Sequence, residues 1–180
     1  MKLIWFIALV PLAAGVIAAT CDGDGEPSPA TGNYFQLVEQ FLNNATPLTA
    51  NLEQQLDERL PAAQSDEERV LVVGEFLTPS GSLFQNLAAQ LEMMQPPEKA
   101  TEAHDELVAA AGELSELFAG LSDRLATIDA VDNLDELEGL TGEIGGPEFA
   151  AAEERFGDAC SQLQDAADAS DAAVELACAG

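Results

Sequence analysis

Positive charge is what this chain has least of. Six Lys and Arg stand against 33 Asp and Glu, a formal net charge of −27 over 180 residues. Nucleic-acid binding draws its affinity from Lys and Arg that neutralise phosphates, so that class of function is excluded. Docking on anionic lipid by charge is excluded on the same ground, because it needs basic clusters. Histidine is scarcer still, and His104 is the only one. A di-iron bundle requires a Glu-x-x-His pair on each of two helices, and the place three before His104 holds Thr101. A serine hydrolase would have to use His104 as its base. Ser80 and Ser82, in Pro79-Ser80-Gly81-Ser82, do not form a nucleophile elbow. There is no glycine-rich phosphate loop either; Gly145-Gly146-Pro147 reads as a turn before a helix.

One long run is both uncharged and mostly apolar at the chain's start, Leu3 to Ala19, preceded by Lys2 and leading through Thr20 to Cys21. A basic start, an apolar middle and a small-residue cleavage zone make an export signal over residues 1–20. With the polar run Asp22-Gly23-Asp24-Gly25-Glu26-Pro27 behind Cys21, the arrangement resembles a bacterial lipoprotein, whose cleaved chain starts at a lipid-modified cysteine. That resemblance implies one partner, the cell membrane, reached from its extracytoplasmic face through a lipid on Cys21. The usual pattern has a larger aliphatic residue three before the cysteine and Gly, Ala or Ser just before it. Here those places hold Ala18 and Thr20, with Ile17 one residue early. Plain secretion after cleavage and an uncleaved anchor are the alternatives. The apolar stretch of 17 residues, broken by Pro11 and Gly15, is at the bottom of the range for a spanning helix.

Without residues 1–20 the chain keeps 160 residues, enough for one domain with a real core. Lys2 leaves with the signal, so 5 bases face 33 acids, a net −28. These acids are spread at helical spacing and read as a solvated, self-repelling surface. Residues 21–33 are expected to be the lipidated cysteine and a flexible tether, rich in Gly, Pro, Ser and Asp. Residues 34–180 are expected to form a helical bundle domain. Phe35, Val38, Phe41, Leu42, Ala45, Leu48, Leu52, Leu56 and Leu60 line one side of a first helix, which Pro47 should kink or split and Pro61 ends. Ser65 caps a second helix, with Val70, Val73, Phe76 and Leu77 before Pro79 and Leu83, Phe84, Leu87, Leu91 and Met94 after it. Met93 and Met94 read as core filling. Pro96-Pro97-Glu98 opens a third helix running from Ala100 to Ile128. A short helix around Leu134 to Leu140 and a last one from Pro147 follow. The fold class is therefore all-α: an antiparallel four-helix bundle with proline kinks.

Cys160 and Cys178 remain as an even pair in an exported chain. In one continuous helix they would lie about 27 Å apart, and a disulfide needs Cα atoms within about 7 Å. A bond between them requires the helix to stop near Ser170-Asp171 and the tail to fold back along it. The alternative is two buried thiols packing as small apolar groups. His104 reads as a residue at the edge of the apolar stripe, bonding across a helix contact, with ligand binding or pH sensing as its candidate functional role. Paired carboxylates abound, among them Glu102 with Glu106 and Glu113 with Glu116, but nothing marks one as a catalytic pair. Asp129-Ala130-Val131-Asp132-Asn133 lacks the glycine and terminal glutamate of a calcium loop.

Pro96-Pro97-Glu98 with Ala103-His104-Asp105-Glu106-Leu107, Phe156 to Cys160 with Leu163-Gln164, and the final Val174-Glu175-Leu176-Ala177-Cys178 together resemble a group of small acidic helical bacterial lipoproteins or secreted proteins. The resemblance implies a helical bundle with a cysteine pair near its end, and it brings no activity or cofactor. The expectation is a non-enzymatic, membrane-anchored envelope protein that binds an envelope partner or supports an assembly. The alternative is a carrier or sensor of small cationic solutes or divalent cations. An apolar groove open between helices would favour the ligand reading, and a filled core under a uniform acidic exterior would oppose it.

Overall fold

A computed structural model describes residues 29–128 and 134–178. The expected signal over residues 1–20, Cys21 and the acidic run 129–133 lie outside the described residues. The described chain is all-helical. Five α-helices follow one another: α1 (Pro29–Arg59), α2 (Asp66–Glu92), α3 (Thr101–Leu125), α4 (Leu134–Ile144) and α5 (Pro147–Asp168), with a 3-10 turn at Glu98–Ala100 leading into α3. The four long helices alternate in direction. Gly81 of α2 faces Phe118 of α3, and Gly74 faces Leu125, so residue numbers fall on one helix as they rise on the other. The same inverse register joins α3 to α5, where Glu113 pairs with Arg155 and Phe118 packs on Phe149.

The helix boundaries follow from local chemistry. Ser65 adopts an extended backbone, and its hydroxyl accepts from the Glu68 amide at 3.2 Å. Glu68 reaches back to accept from the Gln64 amide at 2.8 Å, so one orphan donor of the first turn is satisfied and the chain just ahead of the cap is tied to it. Asp66, Glu67 and Glu68 place negative charge at the positive end of α2. Pro147 occupies the first turn of α5, where a missing amide costs nothing. Gly146 ahead of it comes so close to Glu143 that a Cβ there would stand 2.9 Å from the Glu143 carbonyl oxygen.

Two expectations about the first helix need correcting. α1 starts at Pro29, so the last five residues of the supposed tether, 29–33, are helical. Pro47 does not split α1; in α2, too, the chain runs through Pro79 as a single helix. Both prolines sit on the solvent side, as do Asn43 and Glu75, the residues four before them whose carbonyls lose their amide partners. Water can serve those carbonyls. On the inner side the neighbouring hydroxyls tie down the turn: Thr46 donates to the Leu42 carbonyl at 2.9 Å and Ser80 to the Phe76 carbonyl at 2.7 Å.

α3 is the middle of the bundle. Leu107, Ala110, Ala111, Leu114, Phe118, Leu121 and Leu125 bury its inner stripe against α2 on one side and α5 on the other. The approach to α2 is close because Gly81 has no side chain; a Cβ there would stand 3.2 Å from that of Phe118. α5 contributes Phe149, Ala152, Phe156, Ala159, Cys160, Leu163 and Ala167, with the stripe expected from its spacing. Leu48 and Met93 depart from expectation, being 53% and 79% exposed. Leu48 follows Pro47 on the outer side of α1, and Met93 is the residue that ends α2. Met94, by contrast, packs against the core.

The tail folds back as the cysteine spacing requires. α5 ends at Asp168, and Asp171 takes a left-handed backbone with φ of 52°, reversing the chain. Cys160 and Cys178 are disulfide-bonded with Cα atoms 5.4 Å apart. Gln164 holds the returning strand-like segment with both ends of its amide, donating to the Val174 carbonyl at 3.2 Å and accepting from the Leu176 amide at 2.8 Å. Glu39 of α1 accepts from the Glu175 amide at 2.9 Å, which ties the tail to the first helix as well. Leu176 is buried, so the tail closes part of the core.

Candidate functional site

The residues singled out by the sequence fall in two places. His104, in the first turn of α3, is 4% exposed, and its Nδ1 lies 2.9 Å from the Tyr34 hydroxyl of α1. The tautomer decides which of the two donates. Burial holds the imidazole below its usual pKa, the Asp105 carboxylate opposing, and burial pushes the Tyr34 phenol well above its usual range. The pair is a neutral polar bridge between two helices, shut away from solvent. Ser80 and Ser82 both donate to backbone carbonyls of their own helix. Gly81 beside them meets α3 at Ser115 and Phe118, roughly three to four turns along from His104. A serine and the histidine are therefore not brought together. Of the carboxylate pairs, Glu113 is engaged by Arg155, while Glu102, Glu106 and Glu116 are exposed.

The feature that sequence reasoning missed is a groove of about 480 Å³ between α1 and α5. α1 packs against α2 but hardly touches α5, so the antiparallel array stays open along one seam. α2 and α3 form its floor with Phe76, Ser80, Phe84, Leu87, Leu114 and Phe118. α1 forms one wall with Leu42, Ala45, Thr46, Thr49 and Glu53. α5 forms the other with Ala150, Glu153, Glu154 and Phe156, and Ala177 of the tail borders it. The size lies within the range of small-molecule sites, and so does the pattern of mostly apolar walls with a few polar groups.

The floor is aromatic and ordered by its own packing. Phe118 meets Phe76 edge-on at 5.7 Å and Phe149 edge-on at 4.9 Å, while Phe84 stacks parallel to it at 5.9 Å. Phe156 stands edge-on to Phe84, also at 5.9 Å. Such offset and perpendicular contacts favour fixed ring positions over a fluid filling. Polar groups in the groove are few. The Ser80 hydroxyl is committed to the Phe76 carbonyl, and those of Thr46 and Thr49 to carbonyls of α1.

Glu53 and Glu153 stand near each other at the mouth, one on each wall. Glu153 is exposed, yet the groove withdraws enough water to raise its carboxyl above the usual range, and the Glu53 charge raises it further. Among the described residues neither carboxylate has an ion pair or a side-chain hydrogen bond, whereas Glu75, Glu113 and Glu143 are each held by an arginine. No group of three or more His, Cys, Asp or Glu among the described residues is placed to hold a metal ion. No described helix is long and apolar enough to cross a membrane.

The signal that could have revealed the groove is in the first helix. Thr49 and Glu53 recur at four-residue steps from Ala45, so they interrupt the side on which only apolar residues belong if a neighbour covers it. Comparison of the chain with protein-family models, with curated proteins and with solved structures returns no match.

Proposed function

We propose that this is a non-enzymatic extracytoplasmic binding protein, moored to the cell membrane by a lipid on Cys21, that holds a small molecule in the groove between α1 and α5. One observation carries the binding role. A preformed groove of about 480 Å³ has a packed aromatic floor and mostly apolar walls, and lies on the outside of the bundle. Leaving the half-buried Phe84 beside an open seam forgoes the burial that a closer α1 would provide, and an apolar guest restores it. The lipid rests on the export signal ending at Cys21 and on the acidic, glycine-containing run behind it. Localisation on the extracytoplasmic face is supported by the Cys160–Cys178 bond, since disulfides persist in oxidising compartments.

Two measurements test the reading. A neutral fluorescent hydrophobe such as N-phenylnaphthylamine should bind the purified protein saturably, one per chain, and Phe84→Gln should weaken it. Absence of saturable binding sinks the groove as a site. Metabolic labelling with a fatty acid should mark the wild type and not Cys21→Ser; label surviving that change places the attachment elsewhere.

A further inference from the structure

We infer that the occupant of this groove is an amphipathic organic cation, its apolar body on the phenylalanine floor and its single ammonium or guanidinium head between Glu53 and Glu153. The inference rests on the groove being a binding site and adds the chemistry of what it takes. Three properties of the site favour that class over a neutral hydrophobe, a metal ion or a segment of protein.

The first is charge complementarity at the mouth. Glu53 of α1 and Glu153 of α5 line the groove from opposite walls, and neither has a cationic partner among the described residues. Like charges held this way repel, and each arginine that the bundle could have used is placed on another acid. A monocation entering between them removes the repulsion and supplies the missing charge-assisted hydrogen bonds.

The second is the floor below the mouth. The half-buried Phe84, edge-on to the buried Phe156, presents aromatic surface, and the hydroxyls in the groove are already engaged with backbone carbonyls. A polar body would find few partners there, while an alkyl or aryl body buries its surface without leaving donors unpaired. Aromatic faces near a cationic head add cation–π attraction. A divalent metal ion is the wrong guest, because it needs several oxygen ligands together, and the groove's carboxylates, Glu53, Glu153 and Glu154, are not grouped to hold one among the described residues.

The third is that neither the acidic run ahead of α1 nor a second copy suits the groove. The run between Cys21 and the start of α1 carries Asp22, Asp24 and Glu26 and no large apolar residue, so its charge opposes entry past Glu53 and Glu153. A second copy brings the same acidic rim and a net charge of the same sign. A free small cation meets neither obstacle.

The test compares decylammonium, decanol and decanoate, below their micellar concentrations, by calorimetry on the full mature protein. The cation should bind most tightly and the carboxylate not at all. Glu53→Gln with Glu153→Gln should weaken the cation about tenfold or more and leave decanol unchanged. A control, Glu58→Gln with Asp158→Asn, removes the same charge from the same two helices outside the groove and should alter the cation's affinity little. Equal binding of cation and alcohol, or equal losses in the two double variants, overturns the inference and leaves the groove as an apolar site. Failure of all three probes to bind overturns the binding role itself.

Discussion

His104 shows how one buried side chain makes a bundle sensitive to pH. Its imidazole bridges to Tyr34 and is kept below its ordinary pKa of 6.5 by burial, against the pull of Asp105. A base whose folded pKa is depressed is protonated more readily in the unfolded chain. The neutral bridge thus contributes fully above about pH 6.5, and that contribution is lost as pH falls from there through the folded pKa. The slope from one such group cannot exceed about 1.4 kcal/mol per pH unit. Urea midpoints measured between about pH 7.5 and 5.5 should therefore fall in the wild type. His104→Gln, which keeps a group able to bond Tyr34 but cannot titrate, should show a flatter profile over that interval. An equal slope in both proteins would mean that another group titrates. Reading the sequence placed His104 at the edge of a helix contact and bonded across it. That Tyr34 was the partner was not legible, because the two are 70 residues apart and only the tertiary fold brings them together.

At the level of single elements, the prolines and the tail carry opposite lessons. Pro47 lies in the middle of α1 without ending it, since its ring and the carbonyl it deprives both face water. Replacing it restores the amide and relieves the ring clash, worth about 3 kcal/mol in a helix interior. Against that, the unfolded chain gains about 0.4–1 kcal/mol of freedom when proline is removed. Pro47→Ala should therefore stabilise the domain by roughly 2 kcal/mol, read as a higher urea midpoint at an unchanged slope. Sequence rules that treat proline as a break misjudge this helix because they weigh the lost hydrogen bond without knowing whether the orphaned carbonyl is wet. The tail was legible for the converse reason. Two cysteines eighteen positions apart can meet only if the helix ends between them, whatever the surroundings. Opening that loop with Cys178→Ser should cost about 3 kcal/mol in the chain-entropy model. Because Ala177 borders the groove, the same change should also weaken binding of the neutral probe; an unaltered affinity would mean that Gln164 and Glu39 hold the tail unaided.

Over the whole molecule, four arginines are spent on Glu75, Asp66, Glu143 and Glu113 at the surface. Those pairs are half-exposed and individually weak, so they do little against an excess of 28 negative charges once residues 1–20 are removed. The bundle type, the helix order and the buried stripes of α3 and α5 were readable because each depends on spacing within one helix. The groove was not readable as a cavity, because it arises from how far α1 stands from α5, a distance that no local pattern encodes; Thr49 and Glu53 mark it only in hindsight. The charge, in contrast, needs no structure to have a consequence. Folding gathers like charges that the unfolded chain holds further apart, and salt screens them over a length of about 10 Å at 0.1 M. Raising NaCl from about 10 mM to 0.5 M should therefore raise the melting temperature steadily. Neutralising two exposed acids far from the groove, as in Glu58→Gln with Asp158→Asn, should reduce the gain. Salt should at the same time weaken the decylammonium probe and spare decanol, since it screens the attraction at Glu53 and Glu153 as well as the repulsion elsewhere. A melting temperature that falls with salt would show that the few arginine pairs, and not the acidic excess, govern the electrostatics of this fold.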